Sequence, residues 1–281
     1  QRSLVGSEMC IRDRRYIFRG IPNKIVYANI SYLSPNECLK GKKILITGGA
    51  RGLGLAMAQK FMNEGAAVLI AGRNEVMLRE KAELLHCKYL RVDMENVLSL
   101  PLFLARADQL LGGIDCIVNN AGISLHEGNI RNVTVDNFNT QVNTNLRGSY
   151  FLAQHFVELF EKKRRKNGNI LFVSSERGFY VDDLPYGLTK AAINSLTQGL
   201  ANRVVESGIR VNAIAPGVTV SDMTGFSSDG SLYCDYNITE RVYLPEEVAE
   251  VACFLLSDAS KCLSGQILVC NEGKSINAHW R

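Results

Sequence analysis

The sequence predicts an α/β domain built on a doubly wound parallel sheet with helices on both faces. Three observations carry that expectation. Short apolar runs of strand length recur between Lys43 and Val269, helix-length segments separate them, and the first run opens directly into a glycine-rich turn. Strands that alternate with helices pair in parallel and are covered on both sides. With 281 residues and 46% hydrophobic content, the chain can bury a large core, and its length suits one domain.

Residues 1–40 differ from the rest and read as an N-terminal extension. The opening QRSLVGSEMCIRDR, residues 1–14, resembles translated sequencing-adapter read-through and is set aside, while 25–33 reads as an arm packing on the domain or on a neighbouring subunit. The regular domain spans 41–273. Its first strand is predicted over 43–46, followed by a glycine-rich turn, a helix over 55–64 ending at Gly65, and a second strand over 67–71. Further strands are predicted at 89–92, 114–118, 170–173, 209–214 and 266–269, with a helix over 185–201. The segment 224–241 has few periodic apolar residues and reads as a mobile lid, and 274–281 is a tail.

The net charge of +4 is small, and much of the excess lies in Lys162, Lys163, Arg164, Arg165 and Lys166. Without interleaved aromatics, this cluster reads as the solvated last turn of a helix before the turn 167–169, so no nucleic-acid partner is expected. The eight cysteines are scattered, with no Cys-x-x-Cys and no histidine cluster, which predicts a reducing cytoplasmic setting and no metal site. No apolar run is long enough to span a membrane.

The turn Thr47-Gly48-Gly49-Ala50-Arg51-Gly52-Leu53-Gly54 lies between strand and helix. Glycines there let the backbone approach a pyrophosphate, and the next helix offers unpaired amides and the positive end of its dipole. Gly48, Arg51, Gly52, Leu53 and Gly54 are therefore candidate cofactor contacts in a Rossmann-type fold. The second strand ends Ile70-Ala71-Gly72-Arg73-Asn74, with Arg73 and no acid. An acid there would favour NAD through the ribose hydroxyl, whereas arginine accommodates the extra phosphate, so NADP is predicted, with NAD as the alternative.

Tyr186 and Lys190 are four residues apart on a predicted helix and share one face. A cation beside a phenol favours phenolate, which predicts a lowered Tyr186 pKa and reversible proton transfer to an alcohol oxygen.

The glycine turn, Asn119-Asn120-Ala121-Gly122, and Tyr186 with Lys190 together resemble the short-chain dehydrogenase/reductase family over about residues 41–273. The 3-oxoacyl-carrier-protein reductases and the sugar or polyol dehydrogenases look most similar. The resemblance implies a catalytic set of Asn145, Ser175, Tyr186 and Lys190. In it Ser175 bonds the substrate carbonyl, Tyr186 donates the proton, Lys190 holds the nicotinamide ribose beside Tyr186, and Asn145 anchors a relay water. Ser175 is chosen over Ser174 because Ser-Ser-x-x-Gly aligns that way. The resemblance also implies that Asp93 and Met94 line the adenine side, that Asn120, Ala121 and Gly122 meet the cofactor, and that Pro216, Gly217, Thr219 and Ser221 hold the nicotinamide. A homodimer or homotetramer acting on a small carbonyl or alcohol follows from the same likeness. A non-catalytic NAD(P)-binding sensor is the alternative, and it would need no proton donor.

Ser175 and Tyr186 are separated by a short loop carrying Glu176, Arg177, Asp182 and Asp183, which predicts a polar substrate or, equally, four charges that all face water. His126, beyond Gly122, reads as a surface imidazole in preference to a substrate contact.

Overall fold

The computed structural model describes residues 37–276, so the readings for 1–36 and for the tail beyond Ile276 lie outside the described residues. Seven parallel strands stand in the order β3-β2-β1-β4-β5-β6-β7. They are β1 (Lys43–Thr47), β2 (Ala67–Gly72), β3 (Lys88–Arg91), β4 (Cys116–Asn119), β5 (Gly168–Val173), β6 (Ile209–Pro216) and β7 (Ile267–Cys270). The order reverses between β1 and β4, and such a switch point opens a crevice at the carboxyl ends of the strands.

Alternation along each strand builds two cores. Leu45, Leu69, Ile117, Ile170, Phe172 and Val211 face one side. There α3 (Leu100–Leu111), α5 (Ser149–Lys162) and α6 (Pro185–Arg203) supply Phe103, Phe156 and Ile193. Ile44, Ile46, Val68, Ile70, Val118 and Leu171 face the other, against α1 (Gly52–Asn63), α2 (Glu75–Leu85) and α7 (Pro245–Leu256). Each fully buried aliphatic or aromatic side chain contributes about 1.5–3 kcal/mol, so near-continuous apolar strands are what a two-sided sheet requires. A short helix, α4 (Val135–Gln141), precedes α5.

Of the boundaries that depart from expectation, three have a clear physical reason. The first helix starts at Gly52 instead of residue 55 because its glycines are selected for close approach, not for helix propensity. β4 starts at Cys116, two residues late, because the Ile114 amide donates to Asp108 Oδ1 (2.8 Å) in the turn before it. The turn expected at 167–169 is shorter, since β5 begins at Gly168, where an added Cβ would lie 2.8 Å from Phe160. The basic run is also less solvated than expected, because Lys163 and Arg165 both pair with the buried carboxylate of Asp108.

Candidate active site

At the crevice, β1 ends in Thr47 and the chain turns into α1. Gly48 takes φ +66°, a left-handed backbone suited to glycine, and its amide donates to Ala71 O (2.7 Å). A Cβ on Gly54 would stand 2.1 Å from Gly48 O, so the first turn of α1 lies directly on the glycine loop. Thr47 Oγ1 accepts from the amides of Asn120 and Ala121 (both 3.1 Å) and donates to Val118 O (3.2 Å). Asn120 Nδ2 donates to Thr47 O (2.9 Å) and Gly48 O (3.0 Å), so this side chain braces the loop from behind. No side chain caps α1 at Arg51, in contrast to α2, where Asn74 Oδ1 accepts from Met77 N (3.1 Å). The amides and positive dipole end of α1 are left for an anion.

Arg73 follows β2 with an exposed guanidinium, 3.8 Å from Glu95 Oε1. Arg51 reaches Asp222 Oδ2 at 3.1 Å, spanning from the glycine loop to the segment after β6; both side chains are largely exposed, so the pair is weak. Asp93 is exposed and accepts from Glu95 N (3.1 Å), whereas Met94 is buried. His126 is exposed, as expected of a surface imidazole.

The chemistry-bearing side chains gather at the end of β5 and the start of α6. Ser174 Oγ lies 2.6 Å from Asn194 Oδ1 and 3.2 Å from Lys190 O, donating into α6, and is thereby locked. Ser175 instead accepts from Arg177 N (3.2 Å) and hydrogen-bonds Tyr186. Lys190 is buried, donates from Nζ to Val173 O (2.7 Å), and lies 5.5 Å from the Tyr186 ring centroid. Gly122 comes close enough that a Cβ would sit 3.5 Å from Lys190 Nζ and 3.3 Å from Asn145 Oδ1.

The expected effect of Lys190 on Tyr186 needs correction. Burial raises the Tyr186 pKa above its ordinary 10.0, and the Ser175 bond and the Arg177 charge only partly offset it. Burial likewise depresses Lys190 to about 8. Desolvation outweighs attraction here because the two groups share an enclosed site, so the unliganded phenol is held neutral, as a proton donor.

Asn145 sits in a π-helical turn, Val142–Gly148, between α4 and α5. Its Oδ1 accepts from Ile123 N (2.8 Å), while Nδ2 donates to Ile123 O (2.9 Å) and Thr189 Oγ1 (3.2 Å). The side chain therefore ties the loop after β4 to α6. Wide turns of this kind often mark functional positions.

The charges of the short loop are placed differently from one another. Arg177 binds Asp182 through two 2.6 Å bonds, and Asp183 is exposed. Glu176 is buried, accepting from Lys274 Nζ (2.9 Å), Asn271 Nδ2 (3.0 Å) and the Tyr180 hydroxyl (3.1 Å). The sequence reading missed this tie from the C-terminal segment to the site.

Gly217, after Pro216, donates to Cys270 O (2.9 Å), and a Cβ there would meet Tyr243 at 2.9 Å. Thr219 Oγ1 donates to Gly217 O (3.0 Å) and Ser221 Oγ to Thr219 O (3.4 Å), which curls this segment tightly. The following stretch is not the loose lid expected from its composition: Leu232 and Cys234 pack with Val220 and Val242 in a small apolar cluster of their own.

A family model described as Enoyl-(Acyl carrier protein) reductase matches residues 48–275, running from the glycine loop to the segment that holds Glu176. The chain is a member of the short-chain dehydrogenase/reductase family. Among relatives of this dehydrogenase/reductase, the 3-oxoacyl-[acyl-carrier-protein] reductase FabG of Aquifex aeolicus is 31% identical over 245 residues, covering 84% of this chain and 98% of that protein. Oxidoreductase UcpA of Salmonella typhimurium is 33% identical over 255 residues, covering 85% and 96%. Among solved structures, a Brucella melitensis 3-ketoacyl-(acyl-carrier-protein) reductase complexed with NADH superposes with a TM-score of 0.76 at 29% identity, covering 85% of this chain and all of that one. A putative gluconate dehydrogenase from Agrobacterium tumefaciens gives 0.76 at 25% identity, covering 85% and 97%. Short-chain dehydrogenases/reductases are NAD(P)-dependent oxidoreductases, and so is this one. No helix among the described residues is long and apolar enough to cross a membrane.

Proposed function

We propose that this enzyme reversibly reduces a polar carbonyl compound to a secondary alcohol, with NADP as its nicotinamide cofactor and Tyr186 as general acid/base. The observation that carries the reading is the cluster of buried Ser175 and Lys190 around the half-buried Tyr186 at the crevice. Two features suit a dinucleotide. The first turn of α1 has no side-chain cap, and Lys190 is a buried ammonium with one carbonyl acceptor and, among the described residues, no carboxylate partner. Spare Lys190 donors fit ribose hydroxyls, and the α1 amides fit the pyrophosphate.

When bound, the cofactor exchanges hydride with the substrate carbon. The Tyr186 hydroxyl transfers its proton to the carbonyl oxygen as negative charge grows there, and Ser175 donates a hydrogen bond to the same oxygen. Lys190 gains from the resulting phenolate, restoring in the reacting state the attraction that burial hides in the resting one. Asn145 holds the loop after β4 and α6 in register.

Arg73, directly after β2 where a carboxylate would favour NAD, supports NADP, with Arg51 as a second cation. For the substrate, the Arg177–Asp182 pair, with Arg177 6.0 Å from the Tyr186 ring, gives the site a polar wall suited to an oxygen-rich carbonyl compound, as the likeness to a putative gluconate dehydrogenase also suggests. Exposed apolar residues Leu98, Leu102 and Tyr150 support association into a homodimer or homotetramer. The test is a panel of sugar-derived, acidic, acyl-thioester and plain alkyl ketones, followed by NADPH and NADH absorbance. Turnover of polar carbonyls with a lower KM for NADPH is expected. Preference for NADH, or equal turnover of alkyl ketones, would overturn the corresponding half of the proposal.

A further inference from the structure

Away from the crevice, the segment before β1 brings two thiols together. Cys38 Sγ and Cys253 Sγ are 3.4 Å apart, the former partly exposed and the latter buried on α7. We infer that Cys38 and Cys253 form a modification site, a dithiol that low-molecular-weight disulfides oxidise to an intrachain disulfide.

Position is held independently of the sulfurs. Leu39 is fully buried and its amide donates to Glu64 O (3.1 Å), while Gly41 N donates to Gly65 O (3.0 Å). The Cys38 amide and thiol both donate to Glu64 Oε2, at 3.3 and 3.2 Å. Glu64 is itself fixed by Lys60 (2.8 Å), which also binds Glu250 one turn before Cys253 on α7. The C-terminal end of α1, the segment before β1 and α7 thus converge on the sulfur pair. A disulfide needs the sulfurs about 2.05 Å apart, so a shift of somewhat more than 1 Å, within reach of side-chain rotation, completes it.

The chemistry balances as thiol–disulfide exchange. Cys38, as thiolate, attacks one sulfur of oxidised glutathione and releases one glutathione thiolate; its proton leaves by way of the Glu64 carboxylate that it already meets. Cys253 then loses its proton and attacks Cys38 Sγ, expelling the second glutathione. The protein gives up two electrons and two protons, and the small disulfide becomes two thiols. Burial raises both cysteine pKa values, and for Cys38 the Glu64 contact adds to it, so exchange is slow at neutral pH and accelerates with rising pH. The resulting link closes a loop spanning 215 positions and enclosing every candidate catalytic residue. Long loops give the largest constraint on the unfolded chain.

The full chain incubated with oxidised glutathione, alkylated under denaturing conditions and digested, is expected to yield one peptide pair joining Cys38 to Cys253. Free thiols should fall by two from the eight in the sequence. The melting temperature should rise by about 5 °C or more and return on reduction. Cys38→Ser should abolish the link without adding glutathione to Cys253, and Cys253→Ala should trap glutathione on Cys38. Loss of no thiols, a stable glutathione adduct on Cys38 of the unaltered chain, or a link from Cys38 to Cys10 would each overturn the proposal.

Discussion

Around Gly48–Gly54 the protein prepares its site with backbone, whereas around Ser175–Lys190 it does so with buried side-chain groups. On the first side, glycines, uncapped amides and the bracing carboxamide of Asn120 leave positive potential without burying a charge. On the second, an ammonium, Lys190, and a carboxylate, Glu176, are taken out of water beside the half-buried Tyr186 phenol and tied to single partners or small networks. The first arrangement is sensitive to volume and the second to charge. Substitutions on the two sides should therefore fail in different measurements.

The largest expected effect is chemical. Tyr186→Phe should lower kcat by ~10²–10⁴-fold, the range for a lost general acid, while cofactor affinity read by NADPH fluorescence stays near that of the unaltered enzyme. Unchanged turnover would remove Tyr186 as the general acid, and unchanged cellular function would favour the non-catalytic sensor. Next, Lys274→Met strands the buried Glu176 carboxylate with only Asn271 and Tyr180, and calorimetry should register a loss of about 3 kcal/mol. Gly54→Ala is the matching test on the backbone side. Its methyl meets Gly48 O, so a stability loss of about 1–3 kcal/mol and weakened cofactor binding should appear together. A variant with native affinity would show that the loop is not the anion cradle.

Smaller effects separate the cofactor readings. Arg73→Ala should raise the KM for NADPH by ~10-fold and leave that for NADH nearly unchanged, since one charge-assisted hydrogen bond is involved. A further effect is in pH. The folded Lys190 pKa, about 8, lies below its ordinary 10.5, so between these values the unfolded chain binds more protons and stability should rise with pH. Lys190→Met should remove that slope in a melting series.

Much of this contrast could be read from the chain. Strand and helix alternation gave the sheet because buried parallel strands need apolar residues on both faces, and the four-residue spacing of Tyr186 and Lys190 is a direct property of α6. The same spacing extends to Asn194, which locks Ser174 and leaves Ser175 for Tyr186, a signal open to the sequence but unused. Other features were not legible. Glu176 and Lys274 are 98 positions apart, and only the fold brings them together; Lys163 and Arg165 reach Asp108 across gaps of 55 and 57. Desolvation of Tyr186 depends on how closely its neighbours enclose it, which spacing cannot reveal. The packed cluster of Leu232 and Cys234 escaped because its apolar residues follow neither a helical nor a strand period.

The π-helical turn at Val142–Gly148 has a consequence for how this chain can change over generations. Each residue of a helix advances its direction by about 100°, so deleting one residue within the turn would swing Leu152, Phe156 and Phe160 away from the sheet or displace Asn145 from Ile123 and Thr189. The length of this stretch is consequently frozen from both ends, and insertions or deletions should accumulate in the outer connections instead.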